Sequence, residues 1–145
     1  EKNGQWQEAL DVFIHMRLRH LEPNAITYKS VVGACAASAR WHEAMSMISD
    51  MHLRRLEFDV TTYIAALYAC GKGEICPEAI CMVTDMRLRR LEPDVVAYNT
   101  MISACEEGAQ WHEVLALLAD MRLQQVDPDV ITYSAAISSC EKGVQ

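Results

Sequence analysis

At 145 residues and 51% apolar composition the chain has enough hydrophobic surface for a packed core, which excludes a disordered polymer. No apolar run approaches the roughly 20 residues that cross a bilayer, and Glu1-Lys2-Asn3-Gly4 lacks the apolar stretch of a secretory signal. The net charge of −7 argues against unselective attraction to phosphates, and six cysteines without a CxxC pair, four of them evenly spaced, point to reduced core thiols rather than a disulfide framework.

The chain opens in the middle of a pattern. Trp6, Glu8 and Met16 define a first segment, and the same residue types return at intervals of 35: Trp41 and Trp111, then Glu43, Glu78 and Glu113, then Met51, Met86 and Met121. Tyr28, Tyr63, Tyr98 and Tyr133 keep the interval, as do Cys35, Cys70, Cys105 and Cys140. Cys76 replaces the Trp in one copy, and Phe58 interrupts the series Pro23, Pro93 and Pro128. Self-similarity at this period is the signature of stacked helical repeats. Residues 1–24 read as the second helix of a truncated repeat, residues 25–59, 60–94 and 95–129 as complete repeats, and residues 130–145 as the first helix of another truncated one. There is no starting Met, and Glu141 to Gln145 resembles the first five residues, so a piece of a longer array is expected.

Within the repeat at 25–59, Tyr28, Val31, Val32 and Cys35 fall at i, i+3, i+4 and i+7, one face of a short first helix. Asn24, Asp59, Asp94 and Asp129 stand just ahead of the first helices, where a side-chain oxygen can accept from a free first-turn amide. Gly73, Gly108 and Gly143 are expected to close these helices in the left-handed conformation, with Asn3 and Ser38 in their place elsewhere. Trp41, Ala44, Ile48 and Met51 mark the apolar face of a second helix, which ends in basic residues such as Arg87-Leu88-Arg89-Arg90 that suit its negative pole. Pro77 sits in the first turn of one second helix, where a missing amide is tolerated. One such pair of helices cannot bury both apolar faces. Neighbours must stack, giving an all-α solenoid with first helices on one surface and second helices on the other.

Catalytic and metal motifs fare poorly. His42-Glu43 and His112-Glu113 begin like a zinc-protease HExxH, but Ser46 and Ala116 occupy the place of the second His. Cys76 and Cys81, five apart on a helix, point to different faces and read as core substitutions. No Ser/His/Asp set, phosphate-cradling glycine loop or coupled carboxylate pair stands out, so neither an active site, a metal nor a cofactor is expected.

The units read V-[VI]-[TA]-Y-N/S-x-x-I-S-[AS]-C, then W-H-E, then D-M, then L-E-P-D, which resembles the 35-residue pentatricopeptide repeat over the whole chain. The resemblance implies a right-handed α-solenoid of helix–turn–helix repeats that binds single-stranded RNA at about one nucleotide per repeat. It implies two selecting residues per unit, the one after the Tyr and the last of the repeat, with the residue two before the Tyr against the base face. Carried over by match, the pairs are Lys29 with Asp59, Ile64 with Asp94 and Asn99 with Asp129, and Ser134 opens a fourth pair. The face-packing positions are Ile26, Thr61, Val96 and Ile131. Asn99 with Asp129 resembles a uridine-selecting pair, whereas Lys29 and Ile64 depart from the usual short polar residue. Lys2, Lys72 and Lys142 share a place where the family contacts phosphate, and Ala37 and Glu107 break that series.

The implied setting is RNA processing, stability, splicing or editing in a mitochondrion or chloroplast, alongside other proteins of an RNA-processing complex, with no membrane and with any nuclease or deaminase activity outside this segment. A protein-binding scaffold on the same solenoid is the alternative, favoured by the acidic balance, Glu107, Lys29 and Ile64. The first-helix segments carry almost no net charge, so the acid lies largely outside them.

Overall fold

The computed structural model describes residues 5–57, 59–72 and 76–144. Eight helices follow one another and no strand occurs among the described residues: α1 (Gln5–Leu18), α2 (Ala25–Ala37), α3 (Trp41–Leu53), α4 (Val60–Lys72), α5 (Cys76–Leu88), α6 (Val95–Glu107), α7 (Trp111–Leu123) and α8 (Val130–Gly143). The expectations for Lys2, Asn3, Phe58 and Gly73, and for the side chains of Lys72 and Cys76, lie outside the described residues.

The boundaries have local causes. Asn24, Asp59, Asp94 and Asp129 accept from the amides of Thr27, Thr62, Ala97 and Thr132 at 2.9–3.0 Å, so each first helix starts on a side-chain cap. Each second helix ends in a repeated turn in which the amide of Leu21, Leu56, Leu91 or Val126 reaches back five residues to the carbonyl of Met16, Met51, Met86 or Met121. The residue before each of those apolar positions is left-handed: His20, Arg55, Arg90 and Gln125 have φ of 54–59°. First helices close in the same way at Ala39 and Ala109. Gly108 itself has φ −80° and Gly143 lies within α8, so the left-handed residue follows the expected glycine position by one and is an alanine.

Stacking follows from the apolar stripes. Tyr28, Tyr63, Tyr98, Met51, Met86, Met121, Cys35, Cys70 and Cys105 are all buried in one continuous core. Each first helix packs closely on the next first helix, α2 to α4 to α6 to α8, whereas the second helices stand further apart and meet through long side chains such as Arg87 and Asp120. The closely packed side is therefore the inner layer and the more widely spaced side the outer one. Small residues allow the close approach, as where a Cβ placed on Gly71 would lie 3.6 Å from that of Ala104.

Four expectations need correction. Trp41 and Trp111 are only partly buried, each stacked on the histidine that follows it, while Trp6 alone of the tryptophans is buried, beneath the Arg40 guanidinium. Tyr133 is partly exposed. Cys81 is exposed rather than a core substitute. Cys35, Cys70, Cys81 and Cys140 are free thiols, but Cys105 is disulfide-bonded where reduced thiols were expected throughout. Burial pushes the Cys35 and Cys70 thiols up to about 11, which makes them poor nucleophiles.

The inward tyrosines end in an electrostatic ladder between units. Tyr28, Tyr63 and Tyr98 donate to Asp50, Asp85 and Asp120 of their own second helices, and Arg17, His52 and Arg87 of the preceding second helices approach the same three carboxylates. Burial first, and the neighbouring carboxylate second, push Tyr28 and Tyr98 up to about 12 and Tyr63 further in the same direction. An unfolded tyrosine titrates near pH 10. Because the folded values are raised, their stabilising contribution is complete below about pH 10 and is lost as pH climbs towards the folded values. The melting midpoint is accordingly expected to fall steeply above about pH 10, with tyrosinate absorbance at 295 nm rising together with unfolding. Ionisation of Tyr28, Tyr63 or Tyr98 at about pH 10 in a still-folded protein, measured with the exposed Tyr68 and Tyr133 replaced by Phe, would contradict the burial of these hydroxyls.

Candidate functional site

The residues singled out on the first helices are exposed or half-exposed along the inner layer. Ile26, Val96 and Ile131 are 72%, 50% and 62% exposed, and Thr61 is exposed at the matching place. An aliphatic side chain left in water once per unit, beside a well-filled core, serves no packing purpose. Each stands in the first turn of its helix, and the next residue singled out by the resemblance, Lys29, Ile64, Asn99 or Ser134, follows three residues later on the same face.

The pairs differ from unit to unit. Asn99 donates through Nδ2 to the two carboxylate oxygens of Asp129 at 3.1 and 3.2 Å, and its Oδ1 accepts from the Thr132 hydroxyl at 2.6 Å. Lys29 forms an ion pair with Asp59 at 2.5 Å, which closes that pair on itself. Ile64 offers Asp94 no hydrogen bond, so that pair does not form. Partial burial raises the Asp59 carboxyl, but the Lys29 ammonium and the Thr62 hydroxyl and amide outweigh it and leave the carboxyl below its ordinary value. Asp129 is likewise held low, first by the Thr132 amide and hydroxyl and then by Asn99.

Around Asn99 lies an open pocket of about 500 Å³, walled by Val95, Val96 and Ile131, with Asp129 at one side and Tyr68, Ser103 and Glu107 towards the other. Aliphatic walls with one amide donor and one carboxylate acceptor between them suit a flat heteroaromatic ring that presents both a hydrogen-bond donor and an acceptor. Tyr68 and Ser103 escaped the sequence reading, although each follows a selecting position by four residues and so shares its helix face.

The phosphate series is weaker than the spacing suggests. Lys142 is bound to Glu106 at 3.2 Å, and Glu106 also accepts from Ser138 at 2.5 Å. Glu107 enters the pocket itself. Over the inner layer Lys29, Lys72 and Lys142 offset Glu106, Glu107 and Glu141, so the surplus acid belongs to the second helices and the turns. No group of three His, Cys, Asp or Glu residues gathers as a metal site among the described residues, and no helix is long and apolar enough to cross a membrane.

Family models place this arrangement. The pentatricopeptide repeat domain matches residues 1–38 and 46–106, the PPR repeat family residues 93–142, and the PPR repeat residues 26–56. The chain belongs to the pentatricopeptide repeat family. The fold of this pentatricopeptide array is also that of solved relatives. The crystal structure of the pentatricopeptide repeat protein PPR10 from maize superposes with a TM-score of 0.79 at 24% identity, over 94% of this chain and 19% of that one. PPR10 in complex with an 18-nt psaJ RNA element gives 0.78 at 24% identity, over 95% of this chain and 20% of that one. The PPR domain of Arabidopsis thaliana protein-only RNase P 1, in complex with tRNA, gives 0.81 at 14% identity, over 99% of this chain and 79% of that one. The pentatricopeptide array here thus spans about a fifth of the length of PPR10. No curated protein matches the chain in sequence.

Proposed function

We propose that the chain is a single-stranded RNA-binding module that takes about one nucleotide per repeat along its inner layer, and that it reads a uridine most clearly in the unit at 95–129. The observation that carries the proposal is the pocket between Val96 and Ile131, with the Asn99–Asp129 pair inside it. A base slides between the two aliphatic side chains, and its edge meets an amide N–H and a carboxylate. Solved relatives of the same fold hold RNA, which supports the reading.

The other units contribute unequally. The unit at 25–59 has its selecting pair tied up in the Lys29–Asp59 ion pair, and the unit at 60–94 offers Ile64, so both tolerate many bases or act as spacers. Ser134 takes up the reading in the following unit. With Lys142 neutralised by Glu106, affinity rests on bases more than on phosphates and falls only gently with salt. The proposed setting is organelle RNA processing, in a mitochondrion or chloroplast, with other proteins of the processing complex as further partners. Within the repeats the work is binding, and any cleavage or editing chemistry belongs to segments or partners outside them.

The test is competition binding of the full-length protein against RNAs that differ at one nucleotide, with wild type beside Asn99→Thr. The substitution is expected to move the preference at that one position from uridine towards guanosine, by about 1–3 kcal/mol at most, since that is the worth of one base contact. Absence of RNA binding by wild type, or an equal loss for every base, would favour the protein-scaffold alternative, to which Glu107 and Glu106 on the inner layer are well suited.

A further inference from the structure

We propose that Thr132, the third residue of the following unit, is the positioning residue that decides which way the Asn99 amide faces. The inference deepens the RNA-binding reading above and rests on it for its functional consequence. Thr132 is buried in the first turn of α8, and its hydroxyl is the centre of a small network. The hydroxyl oxygen accepts the Asp129 amide at 3.1 Å and lies 2.6 Å from Asn99 Oδ1 and 2.9 Å from Asp129 Oδ1. A hydroxyl has one proton to give. Asp129 Oδ1 already receives the Thr132 amide at 2.9 Å and Asn99 Nδ2 at 3.1 Å, so the proton belongs on Asn99 Oδ1, the nearer acceptor.

That bond has a directional consequence. Turned the other way, the Asn99 carbonyl would face the Asp129 carboxylate, oxygen against oxygen, and its amide would face a hydroxyl whose proton had been released towards Asp129. With Thr132 in place, Oδ1 is held inward and Nδ2 lies beside the carboxylate, where one N–H shared between the two carboxylate oxygens leaves the other for the pocket. The pocket therefore presents a donor and an acceptor in a fixed order. A uracil edge fits that order, its carbonyl on the Asn99 N–H and its N3–H on Asp129. In the same pose a cytosine sets its N3 lone pair against the carboxylate.

The sequence contains its own comparison. The residue equivalent to Thr132 is Ala97 in the next unit back, and the side chain it would orient there is Ile64, which has no amide to turn. In the unit before that, Thr62 is present, its hydroxyl bonds only Asp59 at 2.7 Å, and the selecting residue is Lys29, which has no carbonyl to hold. The hydroxyl bridges to the preceding unit where there is an amide carbonyl to receive it. Selection by the unit at 95–129 is thus completed by a residue that belongs to its neighbour.

The experiment compares wild type, Thr132→Ser and Thr132→Val in the full-length protein. The first readout is the ratio of affinities for RNAs carrying uridine or cytidine at the single position read by Asn99, with melting midpoints measured alongside. Thr132→Ser is expected to keep the wild-type ratio. Thr132→Val is expected to reduce it by roughly three- to tenfold, the effect of one hydrogen bond, with little change at neighbouring nucleotides. The second readout needs no RNA: the Asn99 side-chain amide resonances are expected to coincide in wild type and Thr132→Ser and to shift in the folded Thr132→Val protein. An unchanged ratio and unchanged Asn99 resonances in Thr132→Val would overturn the inference. So would an equal loss for all bases that tracks the melting midpoint, which would leave Thr132 a helix cap only. If wild type binds no RNA, the RNA-binding reading falls, while the Asn99 resonances still decide whether Thr132 positions the amide.

Discussion

Tyr98→Ala is expected to lower the stability of the array by about 3–5 kcal/mol, the range for emptying a buried aromatic site. Tyr98 is buried against both neighbouring layers, and its hydroxyl donates to Asp120 at 2.8 Å and accepts from Arg87 at 2.6 Å. Truncation removes the ring, leaves a cavity in the middle of the stack, and strips one partner from a half-buried Asp–Arg pair. Tyr98→Phe separates these contributions. It keeps the ring and loses only the hydroxyl, so a cost of about 1–2 kcal/mol is expected from a bond to a charged acceptor. Denaturant titration of the two variants beside wild type gives both numbers. A Tyr98→Ala protein within about 1 kcal/mol of wild type, below the cost of any filled aromatic site, would mean that the repeated tyrosines do not anchor the stack.

The second large effect concerns binding and leaves the fold alone. If the proposed function holds, joint replacement of Val96 and Ile131 by Asp should reduce RNA affinity by at least about thirtyfold, through loss of two proposed base-stacking surfaces worth roughly 1–3 kcal/mol each and the arrival of two carboxylates beside a polyanion. Stability should hold or rise slightly. Both residues are largely exposed and both stand in the first turn of a helix, where a negative charge meets the positive end of the dipole. Equilibrium binding together with a melting curve tests both halves of the expectation. A folded double variant with wild-type affinity would remove the inner aliphatic row from the binding surface.

Much of the fold was legible because the repeat supplies the same message in each copy. Tyr, Met and Cys at fixed register mark the buried stripes, and the Asp ahead of Val60, Val95 and Val130 marks each first-helix start to the residue. The tryptophans misled because hydrophobicity alone does not report where a second helix emerges from its neighbours. Trp41 and Trp111 are the first residues of their helices, only partly buried and stacked on His42 and His112. The glycines misled for a different reason. The left-handed residue is set by the six-residue turn geometry, which tolerated Ala39 and Ala109 one position further on. In the site, helical periodicity placed Val96 and Asn99 on one face, but bonds between units lay beyond it. That Lys29 closes onto Asp59, that Glu106 takes Lys142, and that Thr132 reaches Asn99 all depend on how far apart consecutive units stand, which no single helix encodes.

The closer packing of the first helices has a geometric outcome. With first helices packed along the inner layer and second helices further apart, linked by long side chains such as Arg87 and Asp120, the units resemble wedges set together at their narrow edges. Small residues along that edge, such as Gly71 against Ala104, keep side-chain bulk out of it. Because each unit packs on its neighbours alone, the small angles between successive wedges add up along the array. The pitch of a long array is therefore set by many small angles rather than by any one contact, while each wedge keeps its own packing.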